Sequence, residues 1–202
     1  MIGIDLLPLR AESLSFLKIR GEGVCGIDEA GRGPLVGPVC AAAVMLSDDF
    51  PFGLLDDSKA MSPGRRSIAY ERIIAKARDW SVAWATCDEI GSFNILRASL
   101  LAMKRAYYAL FLVPAMVFVD GDKVPDIPGS VYPVIRGDSL VPSIMAASIL
   151  AKVARDRLMD RLDRIEPAYG FASHKGYPTP AHREAIRKTG PSLWVRPGFK
   201  LL

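Results

Sequence analysis

Little in this chain points to the commonest catalytic chemistries. Among 202 residues there are two histidines and three cysteines, Cys25, Cys40 and Cys87, and no two cysteines stand in CxxC spacing. No cluster of His and Cys suggests zinc, and the odd cysteine count argues against a disulfide framework. The three thiols lie in apolar runs and read as buried free cysteines in a reducing compartment. No Gly-x-Ser-x-Gly elbow occurs, so a serine nucleophile of that type is absent. No apolar run is long enough for a membrane span: the longest, Ala106–Val119, is broken by Pro114. Asp5 interrupts the N-terminal stretch, and no signal peptide is expected. A cytoplasmic monomer without membrane contact is the expectation. Charge of one sign is also scarce, with 26 basic against 22 acidic residues and a net charge of +4. That excess permits a polyanionic partner without requiring one.

What is present suffices for one domain with a sizeable core, since 50% of the residues are hydrophobic. Val24–Ala30 and Val39–Leu46 read as strands, and the glycine- and proline-rich link between them suits antiparallel neighbours. Ser62 and Pro63 open a helix as N-cap and first helical residue, running to about Arg78. A strand over Ser81–Cys87, a helix over Phe93–Leu110 and a strand over Ala115–Val119 suggest a parallel crossover. Val131–Ile135 is a further strand, confined to an edge by Pro133. A long helix follows over Pro142–Glu166, with Leu150, Ala154, Leu158, Leu162 and Ile165 as its apolar face and Asp160 and Arg164 as an i,i+4 pair. A last helix spans Pro180–Lys188 and ends at Gly190. The expected architecture is a single α/β domain over residues 1–202 with a mixed sheet. Residues 1–22 form an N-terminal extension, and about 167–202 a helical C-terminal portion and tail.

Four acids lie at or beside the ends of these elements: Asp28, Glu29, Asp120 and Asp138. They are either separate turn and cap residues or parts of one site. If they converge, each pair at about 4 Å repels by roughly 4 kcal/mol at an effective dielectric near 20. A hard divalent cation is the natural remedy, and Mg²⁺ or Mn²⁺ suits an all-carboxylate site. Asp28 and Glu29 cannot both reach one ion from a regular strand, because successive side chains point to opposite faces. Either the strand ends or bulges there, or Glu29 contributes through its backbone carbonyl; Asp28 is the firmer ligand. The glycines at 31, 33 and 37 loosely match a nucleotide loop. Pro38 and a β-like run follow them rather than a helix, which argues against a dinucleotide site.

The run Gly26-Ile-Asp-Glu-Ala-Gly-Arg-Gly-Pro-Leu-Val-Gly-Pro-Val39 resembles the signature of bacterial ribonuclease HII. In the same order, Asp57-Ser-Lys59, Val119-Asp-Gly121, Gly137-Asp-Ser139, Ala146-Ala-Ser-Ile-Leu-Ala-Lys-Val153 with Arg155-Asp156, and His174-Lys-Gly-Tyr-Pro-Thr179 resemble further elements of that family. The resemblance implies a ribonuclease H-like fold with a central five-stranded mixed sheet flanked by helices. It implies an endonuclease that hydrolyses RNA in RNA/DNA hybrids and nicks 5′ of single ribonucleotides embedded in duplex DNA. The products would be 3′-hydroxyl and 5′-phosphate ends, and the step would begin ribonucleotide excision repair. Carried over by position, Asp28, Glu29, Asp120 and Asp138 match the catalytic, metal-holding carboxylates. Gly31, Arg32 and Gly33 match a loop that recognises the RNA–DNA junction, and Tyr177 matches a tyrosine that packs on the sugar there. Lys59 and Arg32 suit phosphate contacts. Two Mg²⁺ or Mn²⁺ ions are implied, a pair able to activate water and stabilise the leaving oxygen.

The chain departs from the family pattern in three places. Asp120-Gly-Asp122 replaces Asp-Gly-Asn, Pro142-Ser-Ile-Met145 precedes the Ala-Ala-Ser-Ile helix, and the tail lacks a His-Arg-Arg-Ser-Phe run. Some 22 residues before the signature are too few for the extra N-terminal domain of ribonuclease HIII. The competing readings are a non-catalytic hybrid-binding module and, more remotely, a nucleotide-binding oxidoreductase.

Overall fold

β1 (Val24–Ala30) and β2 (Val39–Leu46) begin and end where the apolar runs do, and they pair antiparallel from Cys25 opposite Met45 to Ala30 opposite Cys40. The computed structural model describes residues 23–56, 58 and 60–202. Residues 1–22, Asp57 and Lys59 fall outside the described residues, and with them the phosphate contact expected of Lys59. β3 (Ala77–Ala85) pairs antiparallel with the other edge of β2. β4 (Met116–Asp120) runs parallel to β1, and β5 (Ser130–Val134) parallel to β4. The mixed five-stranded sheet has the order β3-β2-β1-β4-β5. The expected crossover from β3 to β4 therefore passes over two strands, and Pro133 stands in an edge strand as its missing N–H requires.

Every residue of β2 is buried, because helices cover both faces of the sheet. Val39, Ala41, Ala43 and Met45 pack with Ala98, Ala102, Met103 and Ala106 of one helix. Cys40, Ala42, Val44 and Leu46 pack on the opposite face against Ala147, Leu150 and Ala151, and against Ala69 and Ile73. The helices are α1 (Pro63–Lys76), α2 (Cys87–Phe93), α3 (Ile95–Tyr108), α4 (Pro142–Ile165), α5 (Phe171–His174) and α6 (Pro180–Thr189). Ser62 caps α1 as expected, accepting from the Arg65 N–H at 3.3 Å. None of the described helices is long and apolar enough to cross a membrane.

Several boundaries differ from the sequence reading. The helix expected over Phe93–Leu110 is α3, Ile95–Tyr108, and a short helix absent from the sequence reading, α2, precedes it: Thr86 and Glu89 form a reciprocal capping box ahead of α2, and Asn94, at φ 70°, separates the two. Cys87 is consequently the first residue of α2, half-buried, and not the end of a strand. On α4 the expected Leu150 and Leu162 are buried, but the buried line also runs through Ala147, Ala151, Arg155 and Met159, and Ile165 is 63% exposed. Asp160 pairs with Lys175 rather than with Arg164, and the intrahelical i,i+4 pair is Lys152–Asp156 at 2.8 Å.

Gly26 lets α4 approach the sheet backbone directly. A Cβ there would lie 2.1 Å from the Ser143 carbonyl carbon and 2.2 Å from the Ile144 nitrogen. Gly26→Ala is therefore expected to cost about 3 kcal/mol of stability, the upper range for forced overpacking. Urea unfolding reads this, and a wild-type midpoint would contradict so close an approach.

Candidate functional site

The sheet puts three of the four expected acids together. Asp28 lies near the C-terminal end of β1, Asp120 ends the parallel neighbour β4, and Asp138 lies in a single 3₁₀ turn, Gly137–Ser139, just before α4. One carboxylate oxygen from each lies within 4.8 Å of the others. Local hydrogen bonds fix the group: the Asp138 N–H donates to Asp120 Oδ1 at 3.2 Å, and the Glu29 N–H to Asp28 Oδ1 at 2.7 Å. Ser148 hydrogen-bonds the Asp28 carboxylate, and its hydroxyl lies 2.9 Å from that of Ser58. Burial, followed by the charges of Glu29 and Asp120, pushes the Asp28 carboxyl well above the ordinary carboxylate range.

Glu29 is not in this cluster. β1 stays regular through Ala30, so neither the bulge nor the strand end considered for this pair occurs at Glu29. Asp28 turns toward α4, and Glu29 projects on the other side, 3.6 Å from Arg32. Both acids nevertheless border one cavity of about 210 Å³, lined by Asp28, Glu29, Ala30, Gly31, Arg32, Gly33, Ser58, Asp120, Ser148, Lys152, Arg155 and Tyr177. Carboxylates form one wall, and Arg32, Lys152 and Arg155 supply cations to the rest. Asp122, the second acid of the Asp-Gly-Asp turn, instead lies beside Lys123 at 3.6 Å, in the open.

The glycine loop and Tyr177 meet at the rim. Gly31 has φ +100°, and a Cβ there would lie 2.0 Å from Arg155 Nε, so the position is closed to other residues on both counts. The Tyr177 ring lies against Gly33, 3.3 Å from where a Cβ would stand, and the side chain is 43% exposed. Its segment is tied down by the Leu35 N–H donating to the Gly176 carbonyl at 2.9 Å and by His182 Nδ1 at 2.9 Å from the Tyr177 carbonyl. His174, which shows no partner in the sequence, lies 2.8 Å through Nε2 from the Tyr169 carbonyl and stacks on His182, so it supports this turn.

Ser58, Ser148, Lys152 and Arg155 were not singled out as site residues by sequence reasoning. Ser148, Lys152 and Arg155 fall in the helix motif, where one residue per turn of α4 faces the cavity. Ser58 lies in the Asp-Ser-Lys element.

An oxygen-only cluster of three aspartates, with a raised proton affinity at Asp28, has the donor chemistry of a hard divalent cation site. The family model for Ribonuclease HII matches residues 25–201. The chain is 51% identical over 176 residues to a Ribonuclease HII of Burkholderia vietnamiensis, covering 87% of this chain and 82% of that one. Among solved structures it is similar to the ribonuclease H2 of Pyrococcus horikoshii, with TM-score 0.74 and 26% identity, covering 88% of this chain and 94% of that one. It also shares its fold with Bst-RNase HIII, solved in complex with Mn²⁺, with TM-score 0.66 and 18% identity, covering 86% of this chain and 64% of that one. The architecture is thus the ribonuclease H-like fold that the sequence resemblance implies.

Proposed function

This chain belongs to the ribonuclease HII family, and from that premise we propose that it is a metal-dependent endonuclease that hydrolyses RNA in RNA/DNA hybrids and nicks 5′ of single ribonucleotides in duplex DNA. The observation that carries the reading is one cavity bordered by acids of the three-aspartate cluster, the Gly31–Gly33 loop and Tyr177. A module that only bound hybrids would gain nothing from clustered carboxylates facing a phosphate backbone, since they would repel it.

In this reading Asp28, Asp120 and Asp138 would hold one Mg²⁺ or Mn²⁺, and Glu29, outside that cluster but bordering the same cavity, would serve the second ion. When bound, two such ions supply water activation and stabilisation of the leaving 3′ oxygen, giving 3′-hydroxyl and 5′-phosphate ends. The chain's own task is placement. Ser148 and the Glu29 amide orient Asp28, and the Asp138 amide orients Asp120, so the carboxylates need little rearrangement. Arg32 and Lys152 meet phosphates, which positions the duplex without reading its sequence. The loop amides and Tyr177 meet the sugar whose 2′-hydroxyl separates RNA from DNA. The net charge of +4 suits a backbone-binding enzyme.

The test is incubation with a duplex carrying one ribonucleotide, with Mg²⁺ or Mn²⁺ and with EDTA. A single nick 5′ of the ribonucleotide, absent with EDTA, is expected; intact substrate under every metal condition refutes the reading. Tyr177→Ala is expected to reduce the preference for a single ribonucleotide over an all-RNA strand by about tenfold, the scale of one lost ring contact. An unchanged preference removes Tyr177 from junction recognition.

A further inference from the structure

The loop that borders the cavity is held from behind by two buried guanidinium groups. Arg196 comes from the C-terminal segment and is fully buried. A guanidinium has five N–H donors, and here all five meet backbone carbonyls of one eight-residue loop. Nε donates to Gly37 at 2.7 Å, Nη1 to Arg32 at 3.0 Å and Pro34 at 2.8 Å, and Nη2 to Gly31 at 2.6 Å and Pro38 at 3.3 Å. The main chain adds the Arg196 N–H to the Leu35 carbonyl at 3.0 Å and the Gly37 N–H to the Trp194 carbonyl at 2.9 Å. Arg155 reaches the same loop from α4, donating to the Val36 carbonyl at 3.2 Å, and it fills the space beside Gly31.

A buried arginine bonded to carbonyls is often only structural. The direction of these peptides argues for more. In a trans peptide the C=O and the following N–H point oppositely. With the Gly31 and Arg32 carbonyls drawn onto Arg196, the N–H groups of Arg32 and Gly33 must point away from it, on the residues that line the cavity. We propose that Arg196 is a positioning residue for ribonucleotide recognition: it fixes the outward direction of the Arg32 and Gly33 amides, which then donate to the ribose or phosphate at the junction. The inference rests on the cleavage beside a ribonucleotide proposed above. Charge supports it. Burial and the neighbouring Arg155 pull the Arg196 guanidinium down to about 9, which still leaves it positive at neutral pH. The loop is thus backed by two cations whose hydrogen-bond partners are carbonyls, and the amide face gains affinity for an electron-rich oxygen.

The test uses the full chain and Arg196→Lys, which keeps the charge and loses the five-donor fork. Binding is read by fluorescence anisotropy in EDTA, with two duplexes identical except for one ribonucleotide, and steady-state nicking is measured alongside. The variant is expected to lose most of the affinity ratio between the two duplexes. Its KM for the ribonucleotide duplex should rise by about tenfold, the scale of a hydrogen bond lost equally from ground and transition states, with kcat little changed. Mn²⁺ binding to the aspartate cluster, read by electron paramagnetic resonance, should be unaltered. A variant with a lower melting temperature but wild-type affinity ratio and KM overturns the role. If Arg196→Lys does not fold, Gly33→Pro, which removes one of the two amides that Arg196 aims, is expected to lose the same affinity ratio, and an unchanged ratio there overturns the proposal. Wild-type protein that binds the ribonucleotide duplex selectively and never nicks it would refute the proposed cleavage alone, and the affinity ratio would still decide on Arg196.

Discussion

Asp120→Asn is expected to reduce nicking by about a thousandfold, some 4 kcal/mol of transition-state stabilisation, while the protein stays folded. Asparagine keeps an Oδ1 at the same place, so the hydrogen bond from the Asp138 amide survives. What is lost is one of three carboxylates gathered within 4.8 Å, and with it much of the attraction for divalent cations. The measurement is single-turnover cleavage of a duplex with one ribonucleotide, beside a circular dichroism melt. A folded variant that nicks at the wild-type rate would show that the cluster has no part in the reaction.

Asp28→Asn should act in two opposite directions. In metal-free protein the Asp28 carboxyl titrates well above the ordinary carboxylate range because of burial, Glu29 and Asp120. The folded state therefore holds this proton more tightly than the unfolded chain, whose aspartate titrates near about 3.9. The resulting stabilisation is fully present below that unfolded value and is lost as pH rises through the folded one. Metal-free wild type should thus lose this contribution toward neutral pH, and Asp28→Asn should not. Saturating Mn²⁺ at neutral pH should restore stability to the wild type, by about 2.7 kcal/mol at a hundredfold excess over Kd, and leave the variant unmoved. The variant is thus expected to melt higher than wild type without metal and to be inactive with it. Thermal melts at pH 4.5 and 7.5, with EDTA or Mn²⁺, read all four conditions. Equal manganese shifts in the two proteins would remove Asp28 from the metal site.

Much of this site was legible because it lies on short, strongly patterned segments. β1 and β2 coincide with their apolar runs, and alternation along a strand already separated Asp28 from Glu29. Other features were hidden for identifiable reasons. β3 starts at Ala77, earlier than its apolar pattern, because Asp79 looks like a surface residue. It is buried, and its Oδ2 accepts from the Phe111 and Leu112 amides at 2.7 and 2.8 Å. The apolar face of α4 was read correctly at Leu150 and Leu162, but Ala147, Ala151, Arg155 and Met159 were missed and Ile165 was wrongly included. Where a helix lies directly on Gly26 and an alanine-rich strand, alanines and serines join the large aliphatic residues on the inward face, and their small side chains carry little pattern. Arg196 was invisible because nothing local marks it: its partners are carbonyl oxygens, which every residue possesses, and no charged residue in the sequence announces them.

Those partners lie 158 to 165 residues away along the chain, and that separation has a kinetic consequence. Chains are synthesised from the N-terminus, and contacts between distant segments form late because the intervening loop must close first. The Gly31–Pro38 loop is among the earliest parts of the described chain to be made. It cannot take its final shape until residue 196 has been added and has docked. During synthesis the sheet and its aspartates can assemble before the loop is braced, so the loop's final shape waits on residue 196.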